Sequence, residues 1–163
     1  MKYLYENGCD YSQTDFKQVI YNRHFECFYH LFTQYLKPKY KDSDNIVRDL
    51  HIYHNIPTNI CSIIIFDDVN ILKMFVEIGY EFDEEAQCGM AEKGYLDCLK
   101  YVYEHSDERD EMICAHAAYG GHLNCLRFLH EHGYKWTNMT TNYALQNGNY
   151  KCLDYAIENG CPE

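Results

Sequence analysis

The stretch Ala117-Ala118-Tyr119-Gly120-Gly121-His122-Leu123-Asn124-Cys125-Leu126-Arg127-Phe128-Leu129-His130-Glu131-His132-Gly133 holds two helical patterns, a glycine break between them and a glycine after the second. Upstream of the break, Cys114, Ala117 and Ala118 share one stripe at three- and four-residue spacing, which predicts a first helix over about 111–119. Downstream, Leu123, Leu126 and Leu129, with Cys125 and Phe128 beside them, form a wide apolar face. That face predicts a second helix over about 123–132, with Asn124, Arg127 and Glu131 outward. Gly133 then falls where a left-handed cap is wanted, a backbone conformation that glycine adopts without a Cβ clash.

This helical hairpin recurs. Cys125-Leu126 has counterparts 27 residues away on either side, Cys98-Leu99 and Cys152-Leu153, and Gly121 has counterparts at Gly94 and Gly148. Gly79, Gly133 and Gly160 keep the same step after the second helices, with Ser106 in the remaining slot. A fixed period of this size identifies stacked repeats. The expected fold is all-α, an α-solenoid of stacked helical hairpins forming a single array over 1–163. The phase reaches the start of the chain, because Tyr3, Glu6, Asn7, Gly8 and Cys9 match Tyr155, Glu158, Asn159, Gly160 and Cys161. Phe25-Glu26-Cys27-Phe28 likewise falls on Leu96-Asp97-Cys98-Leu99, so 1–35 reads as diverged units. Over 36–55 the register breaks at Pro38 and the turn formers 42–45, giving an irregular connection with a degenerate unit. Regular repeats are expected over 56–163, with Pro57 in a first helical turn.

The stretch 117–133 resembles the core of an ankyrin repeat, Ala-Ala-x-x-Gly-His-x-Glu-Val-Val-x-Leu-Leu-Leu-x-x-Gly. The resemblance covers about two-thirds of the chain by motif and the rest by phase. The Cys98-Leu99-Lys100-Tyr101 phrasing and the Gly160-Cys161-Pro162 ending are similar to the divergent ankyrin arrays abundant in giant DNA viruses of amoebae. The resemblance implies a non-catalytic protein–protein interaction module that binds a partner protein through the concave face and loop edge of the array. Two departures qualify it. Met112-Ile113-Cys114-Ala115 stands where the family has Thr-Pro-Leu-His. Ankyrin units also run about 33 residues, and the deficit falls in 133–139 and its equivalents, so the β-hairpin fingers should be shortened or absent.

Composition narrows the partners. The chain is 47% hydrophobic with 17 Tyr and 8 Phe, enough apolar matter to fold. Its formal net charge is −11, and Lys37, Lys39 and Lys41 make no stripe able to neutralise a run of phosphates, so nucleic acid is not expected. The longest apolar stretch, 63–66, is far short of the roughly 20 residues of a membrane span, and the N-terminus has no signal-peptide core. An intracellular, cytoplasmic protein without membrane contact is expected, in the host cytoplasm if viral.

Nine cysteines in such a chain read as reduced core thiols. No Cys-x-x-Cys occurs, and cysteines on successive units stand about 8–10 Å apart, too far to share an ion whose bonds are about 2.3 Å. His51-x-x-His54 and His130-x-His132 lack defined partners. There is no Gly-x-Ser-x-Gly, phosphate-binding glycine loop or His-Glu-x-x-His. No metal, cofactor or catalytic residue is therefore expected, and the alternative reading is a small Cys/His metal-binding or redox protein.

Candidate contacts follow from phase. Glu81, Asp83 and Glu84 recur one period later as Glu108, Asp110 and Glu111. These carboxylates complement a first-helix N-terminus, or, as stacked like charges, receive a basic segment of a partner. The partner-binding residues expected on the edge are Glu81, Glu84, Glu108 and Glu111, and on the concave face His116, Tyr119, Tyr143 and Asn147. His122 should bond backbone at the turn. Trp136 should either cover the edge between units or anchor a partner. Both ends stop beside second helices without a polar capping unit, so self-association through uncapped ends is a further expectation.

Overall fold

A computed structural model describes residues 67–77, 80–107 and 109–162, with the isolated positions 29, 30, 33, 34 and 38. The expectations for the units at 1–35, for the connection at 36–55 and for caps at Gly8 and Gly79 lie outside the described residues, as does Glu108. Over residues 67–162 seven helices are described, and no described residue lies in a strand. They are α1 Val69–Glu77, α2 Glu84–Lys93, α3 Leu96–His105, α4 Met112–Gly120, α5 Leu123–Glu131, α6 Asn138–Gln146 and α7 Tyr150–Glu158.

By internal contacts the chain divides into two units, Met1–Ile65 with Asn70–Glu81, and Phe66–Val69 with Phe82–Glu163. In the first, α1 buries Ile71, Leu72, Met74 and Phe75, and the Phe75 ring meets Tyr80 edge-on at 5.1 Å. The second contains three hairpins, α2–α3, α4–α5 and α6–α7, in the predicted order.

Local chemistry sets each helix. Asp83 caps α2 by accepting from the Ala86 amide at 2.7 Å, with Glu84 and Glu85 in the first turn where the helix dipole favours negative charge. Thr137 caps α6 from Met139 at 3.3 Å. The cap of α3 comes from far away: Asp67 accepts from the amides of Cys98 at 2.9 Å and Asp97 at 3.1 Å. Gly94 and Gly121 end α2 and α4 in the left-handed region, at φ 76° and 75°. Ser106 fills a glycine slot of the period yet sits at φ −135°, so α3 ends in extended backbone while α5 is followed by Gly133 at φ 82°.

First helices stack on first helices, with α4 between α2 and α6; α5 likewise contacts both α3 and α7. Being flanked on two sides explains why α4 buries Ile113, Cys114, Ala115, Ala117 and Ala118 completely, more than the single stripe expected. The second helices supply the rest of the core as a repeated set: Cys98, Leu99 and Val102, then Cys125, Leu126 and Leu129, then Cys152 and Ala156. The connection after α5 is turn and coil without a strand through residue 137, so the projecting finger is trimmed away there.

The joints between hairpins differ from one another. The Asn149 carboxamide donates to the carbonyls of Ala118 at 2.9 Å and Tyr119 at 2.7 Å, reaching back one unit. One period earlier His122 makes no capping bond, contrary to expectation. Its ring instead lies against Gly94 and Gly120, where an added Cβ would come within 2.4 Å and 2.7 Å of it. Packing replaces hydrogen bonding at this joint because both neighbours lack side chains.

All six cysteines among the described residues are buried and form no disulfide: Cys88, Cys98, Cys114, Cys125, Cys152 and Cys161. Burial pushes the Cys114 and Cys125 thiols up to about 12 from an ordinary 9.0. A pKa raised on folding contributes stability below the unfolded value and loses it as pH rises through the folded one. The thermal midpoint is therefore expected to fall between pH 9 and 12, and to fall less steeply in Cys125→Ala. Parallel curves for the two proteins would contradict the placement.

Candidate partner-binding face

Position 116 on α4 and position 143 on α6 share a repeat phase, as do 92 on α2 and 119 on α4. Stacking the three first helices therefore brings Glu92, His116, Tyr119 and Tyr143 into one group. Glu92 Oε2 lies 3.1 Å from His116 Nδ1, with the two side chains 45% and 31% exposed. His116 meets Tyr143 edge-to-face at 6.3 Å, and Tyr143 meets Tyr119 in the same manner at 5.7 Å. Tyr119 keeps 44% of its surface in solvent. Asn147 is exposed, and its amide donates to the Tyr143 carbonyl at 3.1 Å, which ties it to its own helix end.

Three predicted contacts, His116, Tyr119 and Tyr143, thus lie together, while Asn147 stands at the end of the same helix. Glu92 was not anticipated. The available signal was its phase, one period before Tyr119, but an acidic residue on an outward helix position also fits simple solvation.

Glu81, Glu84 and Glu111 are exposed around the N-termini of α2 and α4 and take no part in that contact chain. The two aspartates of the acidic repeat have local work: Asp83 caps α2, and Asp110 accepts from the Met112 amide at 2.6 Å before α4. Glu81, Glu84 and Glu111 make no side-chain hydrogen bond or ion pair among the described residues.

Trp136 covers the edge between two units. It stacks on His130 of α5 at 3.8 Å and meets Tyr155 of α7 edge-on at 6.1 Å. His130 Nδ1 and the Tyr155 hydroxyl are 3.0 Å apart, and the Arg127 guanidinium lies 5.4 Å from the Tyr155 ring centre.

An open cleft of about 370 Å³ is lined by Gly121, Gly148, Asn149, Tyr150, Lys151 and Cys152, with no histidine or carboxylate among them. Among the described residues no three His, Cys, Asp or Glu side chains come together around a possible ion position. No described helix is long and apolar enough to cross a membrane.

Comparison with known proteins decides the family of these hairpins. A family model described as ankyrin repeats (many copies) matches residues 114–157, from α4 through α7. Residues 114–157 are ankyrin repeats. No curated protein and no solved structure matches the chain significantly. The ankyrin match begins in the predicted first helix and includes the Gly121-His122 turn, so the motif read from the sequence lies inside it. Ankyrin repeats as a class are protein–protein interaction modules and typically lack catalytic activity.

Proposed function

We propose that the array is a non-catalytic module that grips a partner protein with its first-helix face, the concave side of an ankyrin array, and with its acidic loop edge. The observation that carries this reading is the contact chain Glu92–His116–Tyr143–Tyr119, which spans three hairpins while remaining partly exposed. Surface side chains held by one another lose less freedom on binding, so more of the contact energy appears as affinity. Glu81, Glu84 and Glu111, exposed and without an ion pair among the described residues, complement a basic segment of the partner and would raise its rate of capture. Buried reduced thiols suit a reducing compartment, which favours action in the cytoplasm, the host's if the protein is viral.

The test is affinity capture on immobilised full-length chain, followed by hydrogen exchange of the complex with the isolated partner. Protection should appear along α2, α4 and α6 and their preceding loops. Reversing Glu81, Glu84, Glu108 and Glu111 to Lys should cut the capture rate by about tenfold or more at low salt, and less at high salt. Unchanged capture by the quadruple variant would remove the acidic edge from the interface.

A further inference from the structure

The chain already shows how it holds an arginine. The Arg109 guanidinium lies 4.5 Å from the Tyr103 ring centre and 5.2 Å from that of Tyr134, and the two rings are 6.4 Å apart. It also donates to the carbonyls of Ser106 and Tyr103. Two tyrosine rings and neighbouring oxygens therefore make a seat for one guanidinium. Arg127 over Tyr155 is a simpler version of the same contact.

The first-helix face has the same parts. Tyr119 and Tyr143 stand 5.7 Å apart and edge-to-face, a closer and steeper pair than Tyr103 and Tyr134 at 6.4 Å, and Tyr119 still has nearly half of its surface in solvent. The oxygens come from Glu92, whose Oε2 is engaged by His116 while Oε1 has no partner among the described residues. Glu92 and Tyr119 hold one phase on neighbouring helices, and His116 links the Glu92 carboxylate to the Tyr143 ring, so the carboxylate and both rings belong to one partly exposed patch. The neighbouring lysine does not cover that patch, since Lys93 turns to the Tyr95 ring at 5.9 Å. The overall charge of −11 draws cations toward the protein.

We infer that Tyr119, Tyr143 and Glu92 form a receptor for an arginine side chain of the partner, His116 acting as the positioning residue that holds the carboxylate. This rests on the interaction-module reading and names the chemistry that the face recognises. Arginine fits better than lysine because a planar guanidinium stacks on a ring and offers an in-plane edge to a carboxylate at the same time. A lysine ammonium is a more strongly hydrated point charge without that geometry.

The experiment is an NMR titration of the full chain with three synthetic peptides of equal length: Gly-Ser-Arg-Gly-Ser-Arg-Gly, its lysine counterpart and its glutamate counterpart. The arginine peptide should move the Tyr119 and Tyr143 ring resonances and bind at least about threefold more tightly than the lysine peptide; the glutamate peptide should not bind. Tyr119→Ala and Glu92→Gln, both at exposed positions, should each weaken the arginine peptide by about two- to fivefold, with thermal melts run alongside to show that both variants remain folded. Tyr119→Phe keeps the ring and should retain affinity. Two results would overturn the inference: an arginine peptide that binds no better than the glutamate peptide, or one whose affinity is unchanged by both variants. A captured protein that protects α2, α4 and α6 while the arginine peptide fails would defeat this inference alone. Failure to capture any protein would defeat the module reading instead.

Discussion

Gly120→Ala should lower the melting midpoint by about 6–12 °C, corresponding to a loss near 3 kcal/mol in a chain of 163 residues. A Cβ built on Gly120 would stand 2.1 Å from the Glu92 carbonyl oxygen and 2.7 Å from the His122 ring. The first of these is backbone of the neighbouring hairpin, which cannot swing aside as the end of a flexible side chain can. Either α4 separates from α2, exposing their shared core, or both helices distort. Gly133→Ala is the matched control. It sits at φ +82° with nothing within 4 Å of an added Cβ, so only backbone strain of about 1–2 kcal/mol opposes alanine there. Thermal melts of the two variants should differ clearly, with Gly120→Ala the less stable. A reversed order would mean that the α2–α4 approach is looser than described.

Leu126→Ala should cost about 2–5 kcal/mol, because Leu126 has no exposed surface and truncation leaves a cavity in α5, the helix that contacts both α3 and α7. Its counterpart in an exposed setting is Leu145, 58% exposed, where alanine should change stability by no more than about 0.5 kcal/mol. Urea unfolding followed by circular dichroism separates the cases, provided the denaturant dependence stays constant between variants. Equal shifts would mean that residue 126 does not occupy the core.

The repeat period was the most legible part of this chain. Cys98, Cys125 and Cys152, each followed by Leu, mark core positions because burial repeats with the hairpin, and all three are buried. The helix boundaries around 111–132 follow from the same spacing to within about a residue. What stayed hidden involves partners distant in sequence. Asp67 caps a helix about 30 residues away, and nothing in its local context, Phe66-Asp67-Asp68, marks it for that task. His122 carried a family expectation of hydrogen bonding, yet Gly94 and Gly120 gave its ring a place to pack. On the candidate face, shared phase links His116 with Tyr143, but the adjoining Glu92 needed the actual stacking of α2 on α4 to be seen. The acidic repeat was divided by structure: Asp83 and Asp110 serve helix ends, while Glu81, Glu84 and Glu111 stand exposed.

The three joints carry a consequence for recombination. Asp67 braces the start of α3, the His122 ring wedges between two glycines, and the Asn149 amide hooks two carbonyls of the preceding hairpin. Each device needs a particular neighbour: a free pair of amides, a missing side chain, or open carbonyls. Duplicating or shuffling hairpins in steps of 27 residues would preserve the apolar beat and still misplace these mates. Equal length therefore does not make the modules interchangeable; they are keyed to their order, like numbered stones in an arch.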